Sequence, residues 1–303
     1  MELVKDWQKI EAVQRMQDYI ERNICRPITL SGLSKHAGYS PFYCSRVFKE
    51  LLGMPPFEYI RALRLTRAAL MLRDEKPKIV DVALEFVFDS HEGFTRAFSK
   101  EFGITPKKYR SNPPPVYLFM PNSIRDKFLY YLKGDKKMET KSATTVFVQV
   151  IKRPERKLIL KRGKNAEDYF SYCEEVGCDI GGLLCSVKEA LYEPIGVWLP
   201  DNLRTAGTSK YAQGVEVPAD YAGEVPEGFE VIDLAPCKMM VFQGPPFSDE
   251  NFEEAITDIW EVMKTYDPKL YGFEWADNDA PRFQLSPEGY RGYIEARPVR
   301  KLS

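Results

Sequence analysis

The chain has only two histidines, His36 and His91, among its 303 residues. A Ser/His/Asp or Cys/His triad needs a histidine beside its nucleophile, and a His/Cys zinc site needs ligands grouped at short spacings. Both histidines lie within the first 110 residues, in a segment that repeats, and neither has such neighbours. We therefore predict no catalytic residue, no metal and no cofactor, and a protein that is not an enzyme.

Cysteine pairs and long apolar runs are also missing. The scattered cysteines form no CxxC pair, as is typical of reduced thiols in a cytosolic chain; they are Cys25, Cys44, Cys173, Cys178, Cys185 and Cys237. No apolar run approaches the roughly 20 residues that span a bilayer, so we expect no membrane partner. The opening stretch, MELVKDWQKIEAVQRM, lacks the pattern of a signal peptide. We therefore expect a cytoplasmic protein.

Basic and acidic residues are almost equal in number, but they are unevenly distributed along the chain. The net charge is −1, yet residues 1–112 carry 19 Lys and Arg against 14 Asp and Glu. The remainder carries 24 basic against 30 acidic residues. A basic amino-terminal part suits a polyanion, and an acidic carboxy-terminal part suits a different partner. The length also allows two domains of ordinary size.

A pattern repeats at an offset of fifty positions in the basic part. The identical pairs are Ser40/Ser90, Arg46/Arg96, Phe48/Phe98, Gly53/Gly103, Pro56/Pro106 and Tyr59/Tyr109. A period this long indicates a duplicated supersecondary unit. Each copy is predicted to be a short helix, a tight turn and a second helix that begins after a serine cap. This is a helix-turn-helix, and two copies predict contact with two neighbouring segments of DNA.

The predicted helices of this part run through the whole domain, which we place at residues 6–112. They cover 6–23, Leu30–Ala37, Pro41–Leu52, Pro56–Arg73, Ile79–Phe86 and Ser90–Phe102, with a last short helix that ends near Arg110. The helix over Pro56–Arg73 joins the two copies. Its length suggests that the two recognition helices lie near one DNA turn apart, on the order of 34 Å.

The runs AGYSPFYCSRVFKELLGMPPFEYIRALRLTRAALML and IVDVALEFVFDSHEGFTRAFSKEFGITPKKYR resemble the DNA-binding domain of AraC/XylS-family transcriptional regulators. The second run carries the more specific frame, F-x-R-x-F-x-x-x-F-G-x-T-P-x-x-Y-R. One departure is Val87, which stands where many members carry glycine. The resemblance implies a DNA-binding regulator, more often an activator, that works with RNA polymerase.

Candidate DNA contacts lie on the early turns of the second helix of each copy. The predicted base contacts are Phe42, Tyr43, Ser45, Arg46, His91, Glu92, Thr95 and Arg96, and the predicted phosphate contacts are Lys49, Lys107 and Lys108. Arginine can donate two hydrogen bonds to guanine, and glutamate can accept one from cytosine. The alternatives are a supporting salt bridge for each arginine, a core position for Phe42 and Tyr43, and solvated charges for the lysines.

The rest of the chain is predicted to be a linker, 113–144, with a possible short helix over Ile124–Leu132, and a second domain, 145–303. In the second domain the order strand–strand–helix–strand–strand occurs twice, and Ser248 is the predicted cap of its last helix. This order, with LYGFEW and YIEARPV, resembles the GyrI-like effector-binding domain of Rob-like regulators, a duplicated SHS2-type fold. The fold class is multidomain, with an all-α domain followed by an α+β domain.

Glu274 is the leading candidate for ligand binding, because a carboxylate among aromatic rings can attract a cation. The resemblance also implies a functional glutamate late in such domains. The predicted effector-binding set is Glu274, Trp275, Phe273, Tyr271, Trp198 and Tyr211. Two alternatives make Glu274 an exposed strand-end residue, or the general base of a hydrolase. Glu295 lies in a predicted strand beside Arg291 and Arg297 and is interpreted as part of a cross-strand ion pair; the alternative is that Glu295, and not Glu274, is the functional carboxylate.

The sequence therefore predicts a DNA-binding transcriptional regulator. Its partners would be double-stranded DNA, RNA polymerase and a small hydrophobic effector, for which Glu274 would favour a cation. A DNA-binding protein whose second domain is a hydrolase is the alternative.

Overall fold

A computed structural model describes residues 2–121, 124, 145–177, 179–248 and 251–302 of the chain. The chain divides into two compact units, Met1–Lys137 and Met138–Ser303. Among the described residues, no helix combines the length and the apolar character that crossing a membrane would require. The first unit is all α-helical and the second combines a sheet with helices, so the predicted fold class is confirmed.

The first unit contains seven described helices. They are α1 (Glu2–Arg22), α2 (Leu30–Ala37), α3 (Pro41–Leu52), α4 (Pro56–Asp74), α5 (Ile79–Glu85), α6 (His91–Phe102) and α7 (Pro106–Ser111). Apolar residues of α1 at spacings of three and four, Ile10, Val13, Met16 and Ile20, are fully buried in the core that α1 forms with α2 and α3. In the second copy, Phe94 and Phe98 of α6 are equally buried. The second helix of each copy thus buries its apolar face.

The segment after α7 packs back on the first unit. The Phe119 N–H donates to Thr66 Oγ1 of α4 at 2.8 Å, and the Phe119 ring lies edge-on to Tyr59 at 5.0 Å. The Ile124 N–H donates to Gln17 Oε1 of α1 at 3.1 Å. Residues 113–121, predicted to begin a linker, therefore lie with the helical unit. Most of the predicted linker, and the predicted helix over 124–132 beyond Ile124, lie outside the described residues.

The second unit contains nine strands and three α-helices among its described residues. The strands are β1 (Phe147–Arg153), β2 (Arg156–Arg162), β3 (Ile195–Trp198), β4 (Tyr211–Pro218), β5 (Glu230–Leu234), β6 (Cys237–Gln243), β7 (Phe273–Trp275), β8 (Arg282–Leu285) and β9 (Ile294–Lys301). The helices are α8 (Tyr169–Val176), α9 (Ile180–Ser186) and α10 (Phe252–Thr265). Helices follow β2 and β6, so the predicted twofold order is present, with β7 as an additional strand.

The strands form one antiparallel sheet in the order β1-β6-β9-β8-β3-β4-β2-β5, and β7 also pairs with β9. Alternate side chains point to opposite faces of a strand. Ile159 of β2 packs in the cluster with α8 and α9, whereas its neighbours Leu158 and Leu160 pack on the other face. Phe242 of β6 packs in the cluster with α10, and Val241 packs on that other face. All three helices thus cover one face of the sheet.

The start of α10 differs from the prediction. Asn251, not Ser248, is the N-cap residue, and α10 begins at Phe252. The Asn251 N–H donates to the Ser248 carbonyl oxygen at 2.8 Å, and its side-chain amide donates to Ser248 Oγ at 3.3 Å. Ser248 therefore takes part in a turn that precedes the helix.

Candidate functional sites

The two predicted recognition helices, α3 and α6, begin and end alike. Ser40 Oγ accepts from the Tyr43 N–H at 3.4 Å, and Ser90 Oγ accepts from the Gly93 N–H at 3.0 Å. Each cap satisfies a backbone donor that the first turn of a helix leaves free. Both helices end at a left-handed glycine, Gly53 with φ 79° and Gly103 with φ 71°. Both are therefore twelve residues long.

The two helices also bury and expose the same positions. The buried residues are Cys44, Val47 and Phe48 in α3 and Phe94, Ala97 and Phe98 in α6. The predicted base contacts fall outside these sets: Phe42, Arg46, His91, Glu92 and Arg96 are exposed, and Tyr43, Ser45 and Thr95 are half-buried. Phe42 is 80% exposed, so the alternative that places it in the core is wrong. The repeat thus preserves one outward face on each helix.

Neither candidate arginine supports the fold through an ion pair with a described residue. Within the part of the chain that the structure describes, no carboxylate oxygen lies within 4.0 Å of Arg46 or Arg96. The Arg46 guanidinium carbon lies over the Tyr43 ring, 5.0 Å from its centroid. Gly93 occupies the position of Tyr43 in the second copy, so Arg96 lacks this ring. The two arginines thus occupy the same position on their helices, but only Arg46 has an aromatic ring at this neighbouring position.

The predicted phosphate contacts are exposed lysines. Lys49 lies in the last turn of α3, and Lys107 and Lys108 lie in α7. None of the three makes an ion pair with another described residue. The Lys108 N–H donates to the Thr105 cap at 3.4 Å, which places this lysine in the first turn of α7. Their amino groups are therefore accessible to an anionic partner.

The predicted effector-binding residues do not form one group. Glu274 of β7 is half-buried, and its nearest described cation is Arg300 of β9 at 4.0 Å. Tyr271 is 63% exposed and stacks on Tyr266, whereas Phe273 and Trp275 pack against the core beside α10. Glu274 is thus the middle residue of β7 and lies across the sheet from Arg300, half-buried and not exposed as the strand-end alternative expected.

Trp198 and Tyr211 lie in other strands, β3 and β4, as register partners with ring centroids 5.2 Å apart. Tyr211 is fully buried, so it cannot contact a ligand from the surface. Of the six predicted residues, Trp198 is the one that lines two adjoining clefts of about 360 and 590 Å³. The expectation of a single pocket formed by all six residues is therefore wrong.

The two clefts share Trp198, Lys210 and Arg282. The smaller cleft is completed by Leu199, Pro200, Asp201, Asp277, Asn278 and Arg297, and the larger by Lys164, Asn165, Ala166, Glu167, Arg204, Thr208 and Ser209. Trp198 is held in place, because its indole Nε1–H donates to the Glu167 carbonyl oxygen at 2.9 Å. Together the clefts offer one aromatic wall and several cations.

Glu295, directly behind these clefts, is fully buried. Its carboxylate accepts from the indole Nε1–H of Trp260 and the hydroxyl of Tyr293, each at 2.8 Å, and from Arg282 Nε. The predicted cross-strand ion pair of Glu295 is therefore present, and Arg282 of β8 is its partner, not Arg291 or Arg297. Arg291 binds Glu193, with oxygen distances of 2.6 and 2.7 Å, and Arg297 binds Asp277 at 2.6 Å.

The buried carboxylate belongs to a polar network that crosses the sheet. Burial, and then the Glu295 carboxylate, raise the pKa of Tyr293 well above its ordinary value, so this phenol keeps its proton. The Tyr293 hydroxyl also lies 2.9 Å from Gln284 Oε1, and Gln284 Nε2 donates to the Tyr211 hydroxyl at 3.1 Å. The signal for this centre in the sequence is the alternation of Tyr293, directly before β9, and Glu295 within it, which places both side chains on one face of the sheet.

Comparison with known proteins places the first unit among DNA-binding regulators. A family model described as a helix-turn-helix domain matches residues 33–112. The chain is 37% identical over 92 residues to the HTH-type transcriptional activator AarP of Providencia stuartii. The aligned residues make up 30% of this chain and 68% of AarP. The chain is also 41% identical over 92 residues to the transcriptional regulator Rob of Salmonella typhimurium. That alignment covers 30% of this chain and 32% of Rob. The chain thus matches about a third of Rob's length.

A solved structure with a bound ligand is similar to about half of this chain. SAV2435 bound to tetraphenylphosphonium covers 51% of this chain and 94% of its own chain, with 16% identity and a TM-score of 0.36. Values this low establish neither a shared ligand nor a shared site.

Proposed function

Because the chain belongs to the AraC-type helix-turn-helix family of DNA-binding transcriptional regulators, we propose that α3 and α6 read two neighbouring major-groove segments of one DNA site. The observation that carries this proposal is the outward face that α3 and α6 share, with an exposed arginine at the same position of each that makes no ion pair with a described residue. A short helix that exposes such a face fits the width of the major groove. One chain carries both recognition helices, so the two halves of the site need not be alike.

The proposed contacts follow from exposure and chemistry. Arg46 and Arg96 each offer a two-pronged donor for guanine, and exposed Phe42 offers an apolar contact for a thymine methyl group. Glu92 and His91 stand where the first copy has Phe42 and Pro41, so we propose that the second half-site differs in sequence. Lys49, Lys107 and Lys108 are proposed phosphate contacts, which would fix position without reading sequence.

We propose that the second unit binds a small molecule in the clefts beside Trp198 and that this binding changes transcription. The proposed effect is activation through contact with RNA polymerase, and the proposed location of the protein is the cytoplasm. The clefts have the volume of small-molecule sites, roughly 300–1,000 Å³. The hydrolase alternative would require Glu274 to activate a water. No observation favours it, since the described ion partner of Glu274 is Arg300.

The experiment that tests the proposal is selection of bound duplexes from a random pool with the full chain, repeated with Arg46→Ala and Arg96→Ala. Each variant should lose about 1–3 kcal/mol of discrimination and relax a different half of the selected site. Lys108→Ala should weaken all sequences evenly and reduce the salt dependence of binding. The control is Lys188→Ala, an exposed change in the second unit. Unchanged selected sequences in both arginine variants would contradict the proposed readout.

A further inference from the structure

We propose that the clefts beside Trp198 bind an organic carboxylate, whose charged end meets Arg282 and whose apolar body lies along the Trp198 indole. This inference rests on the proposed ligand-binding role of the second unit and specifies the chemistry of that ligand. The ligand proposed here is an anion, whereas the aromatic residues around Glu274 predict a cation.

Arg282 is held as a fixed donor at the point where the clefts meet. Its Nε donates to Glu295, and its guanidinium carbon lies over the Trp198 ring, 4.6 Å from the centroid. Its two terminal amino groups donate to no atom of a described residue, and Arg282 lines both clefts. A guanidinium restrained in this way loses little freedom on binding, and its remaining pair of donors matches the two oxygens of a carboxylate.

Glu295 is not available to a cationic ligand. Its carboxylate already accepts from three donors, of which Arg282 supplies the neutralising charge. A carboxylate has about four acceptor sites, and Glu295 is fully buried behind Arg282. A cation could reach it only after Arg282 had left. Glu295 therefore acts as a positioning residue that aims the guanidinium toward the clefts.

The charge of the lining favours an anion. The larger cleft presents Lys164, Lys210 and Arg282 against the single carboxylate of Glu167, and its fourth cation, Arg204, is paired with Asp201. The carboxylates of the smaller cleft are already engaged, Asp201 with Arg204 at 3.2 Å and Asp277 with Arg297 at 2.6 Å. Lys210 lines both clefts and makes no ion pair with a described residue. Cations that converge on a concave surface concentrate an anion there.

Trp198 supplies the apolar part of the site. Its indole is fixed at one edge by Glu167 and packs edge-on against Tyr211. A planar ring or a short hydrocarbon can lie against such a surface, while a single fully hydrated anion such as phosphate would leave it unused. The site therefore fits an amphiphilic acid better than an inorganic ion.

The test compares three naphthalene probes of matched shape on the full chain: 2-naphthoate, 2-naphthalenemethanol and 2-naphthylmethylammonium. Calorimetry should show that naphthoate binds about tenfold or more tightly than the ammonium probe, because charge-assisted hydrogen bonds distinguish them. Lys210→Gln should weaken naphthoate several-fold and leave the alcohol unchanged. Lys188→Gln, an exposed change elsewhere in the second unit, is the matched control.

Arg282→Lys should abolish most of the preference for naphthoate, but it also disturbs the buried Glu295, so Lys210→Gln carries the test. Equal or tighter binding of the ammonium probe, no naphthoate binding at millimolar concentration, or unchanged binding in Lys210→Gln would overturn the proposal. DNA affinity is measured in the same samples. Naphthoate binding without any change in DNA affinity would support the carboxylate site and contradict the sensing role, so the two failures are distinguishable.

Discussion

Tyr59 and Tyr109 occupy the same position in the two copies, yet only the first has a hydrogen-bond partner among the described residues. The Tyr59 hydroxyl accepts from Gln17 Nε2 of α1 at 3.1 Å. The Tyr109 hydroxyl is buried and has no partner in the described part of the chain. Burial raises the pKa of both phenols to about 12. Helix α1 thus completes the first copy, and no described helix takes its place beside Tyr109 in the second copy.

Replacement of these tyrosines by phenylalanine should therefore have opposite effects. Tyr59→Phe should destabilise the helical unit by about 1–2 kcal/mol, because Gln17 loses its buried acceptor. Tyr109→Phe should be neutral or stabilising, because it removes a buried hydroxyl that makes no hydrogen bond. Hydrogen exchange of the α4 and α7 amides in the full chain measures both. An equal loss of stability in the two variants would show that the hydrogen bond between Gln17 and Tyr59 does not distinguish the two tyrosines.

The turn before the second recognition helix stores backbone strain. Val87 has φ 59°, a left-handed conformation that a β-branched residue rarely adopts, whereas the first copy has Gly38 with φ 77° in the corresponding turn. Val87→Gly should stabilise the helical unit by roughly 0.5–1 kcal/mol after the entropic cost of glycine. Thermal unfolding, combined with hydrogen exchange of α5 and α6, checks this change.

The reverse substitution is the matched control. Gly38→Val should destabilise by about 1–2 kcal/mol through the backbone alone, because a Cβ at Gly38 would meet no atom within 4 Å. If Val87→Gly and Gly38→Val shifted stability in the same direction, strain at Val87 would not be the cause.

The recognition helices could be predicted from the sequence because their limits are set locally. Ser40 and Gly53 lie at the two ends of α3 and act within one turn of the chain, and the predicted limits, Pro41–Leu52, are those observed. The exposure of Phe42 also follows once the helix and its buried face are placed. Short-range chemistry was sufficient here.

The site in the second unit could not be predicted in the same way, because distant parts of the chain form it. Glu295 meets Trp260 from α10 and Arg282 from β8, and these contacts depend on the pairing of β8 with β9 and on the packing of α10 on the sheet. The sequence pattern located the strands but not their neighbours. Glu274, with three aromatic residues close in sequence, was therefore favoured over the glutamate that the fold buries.

Tyr43 should matter for the first half of the DNA site only. Its ring supports Arg46, and a cation–π contact at an exposed position is worth about 0.5–1 kcal/mol. Tyr43→Ala should weaken binding to the selected duplex about two- to fivefold and relax the bases read by Arg46, while Tyr43→Phe keeps both. Fluorescence anisotropy with duplexes altered in one half at a time measures this. Relaxation in the half read by Arg96 would count against the contact.

The other buried charge cluster of the second unit is structural. Glu216 accepts from Arg156 Nε at 2.6 Å and from Arg153 Nη1 at 3.1 Å, and all three side chains are at least nine-tenths buried. The Arg153 guanidinium also lies 3.7 Å from the centroid of the Tyr192 ring. One carboxylate therefore binds two guanidinium groups that solvent cannot reach, and it supplies their shared counter-charge.

Glu216→Gln should destabilise the second unit by about 3–5 kcal/mol, because it leaves two buried cations without a counter-charge. The control, Glu261→Gln, breaks an exposed pair with Lys264 and should cost less than about 0.5 kcal/mol. Urea unfolding of the full chain, followed by tryptophan fluorescence, reports mainly on this unit, since Trp198, Trp260 and Trp275 all lie within it. Similar unfolding midpoints for the two variants would show that Glu216 is not the anchor of the cluster. A large loss confined to Glu216→Gln would show that its two arginines are held by charge and not by packing alone.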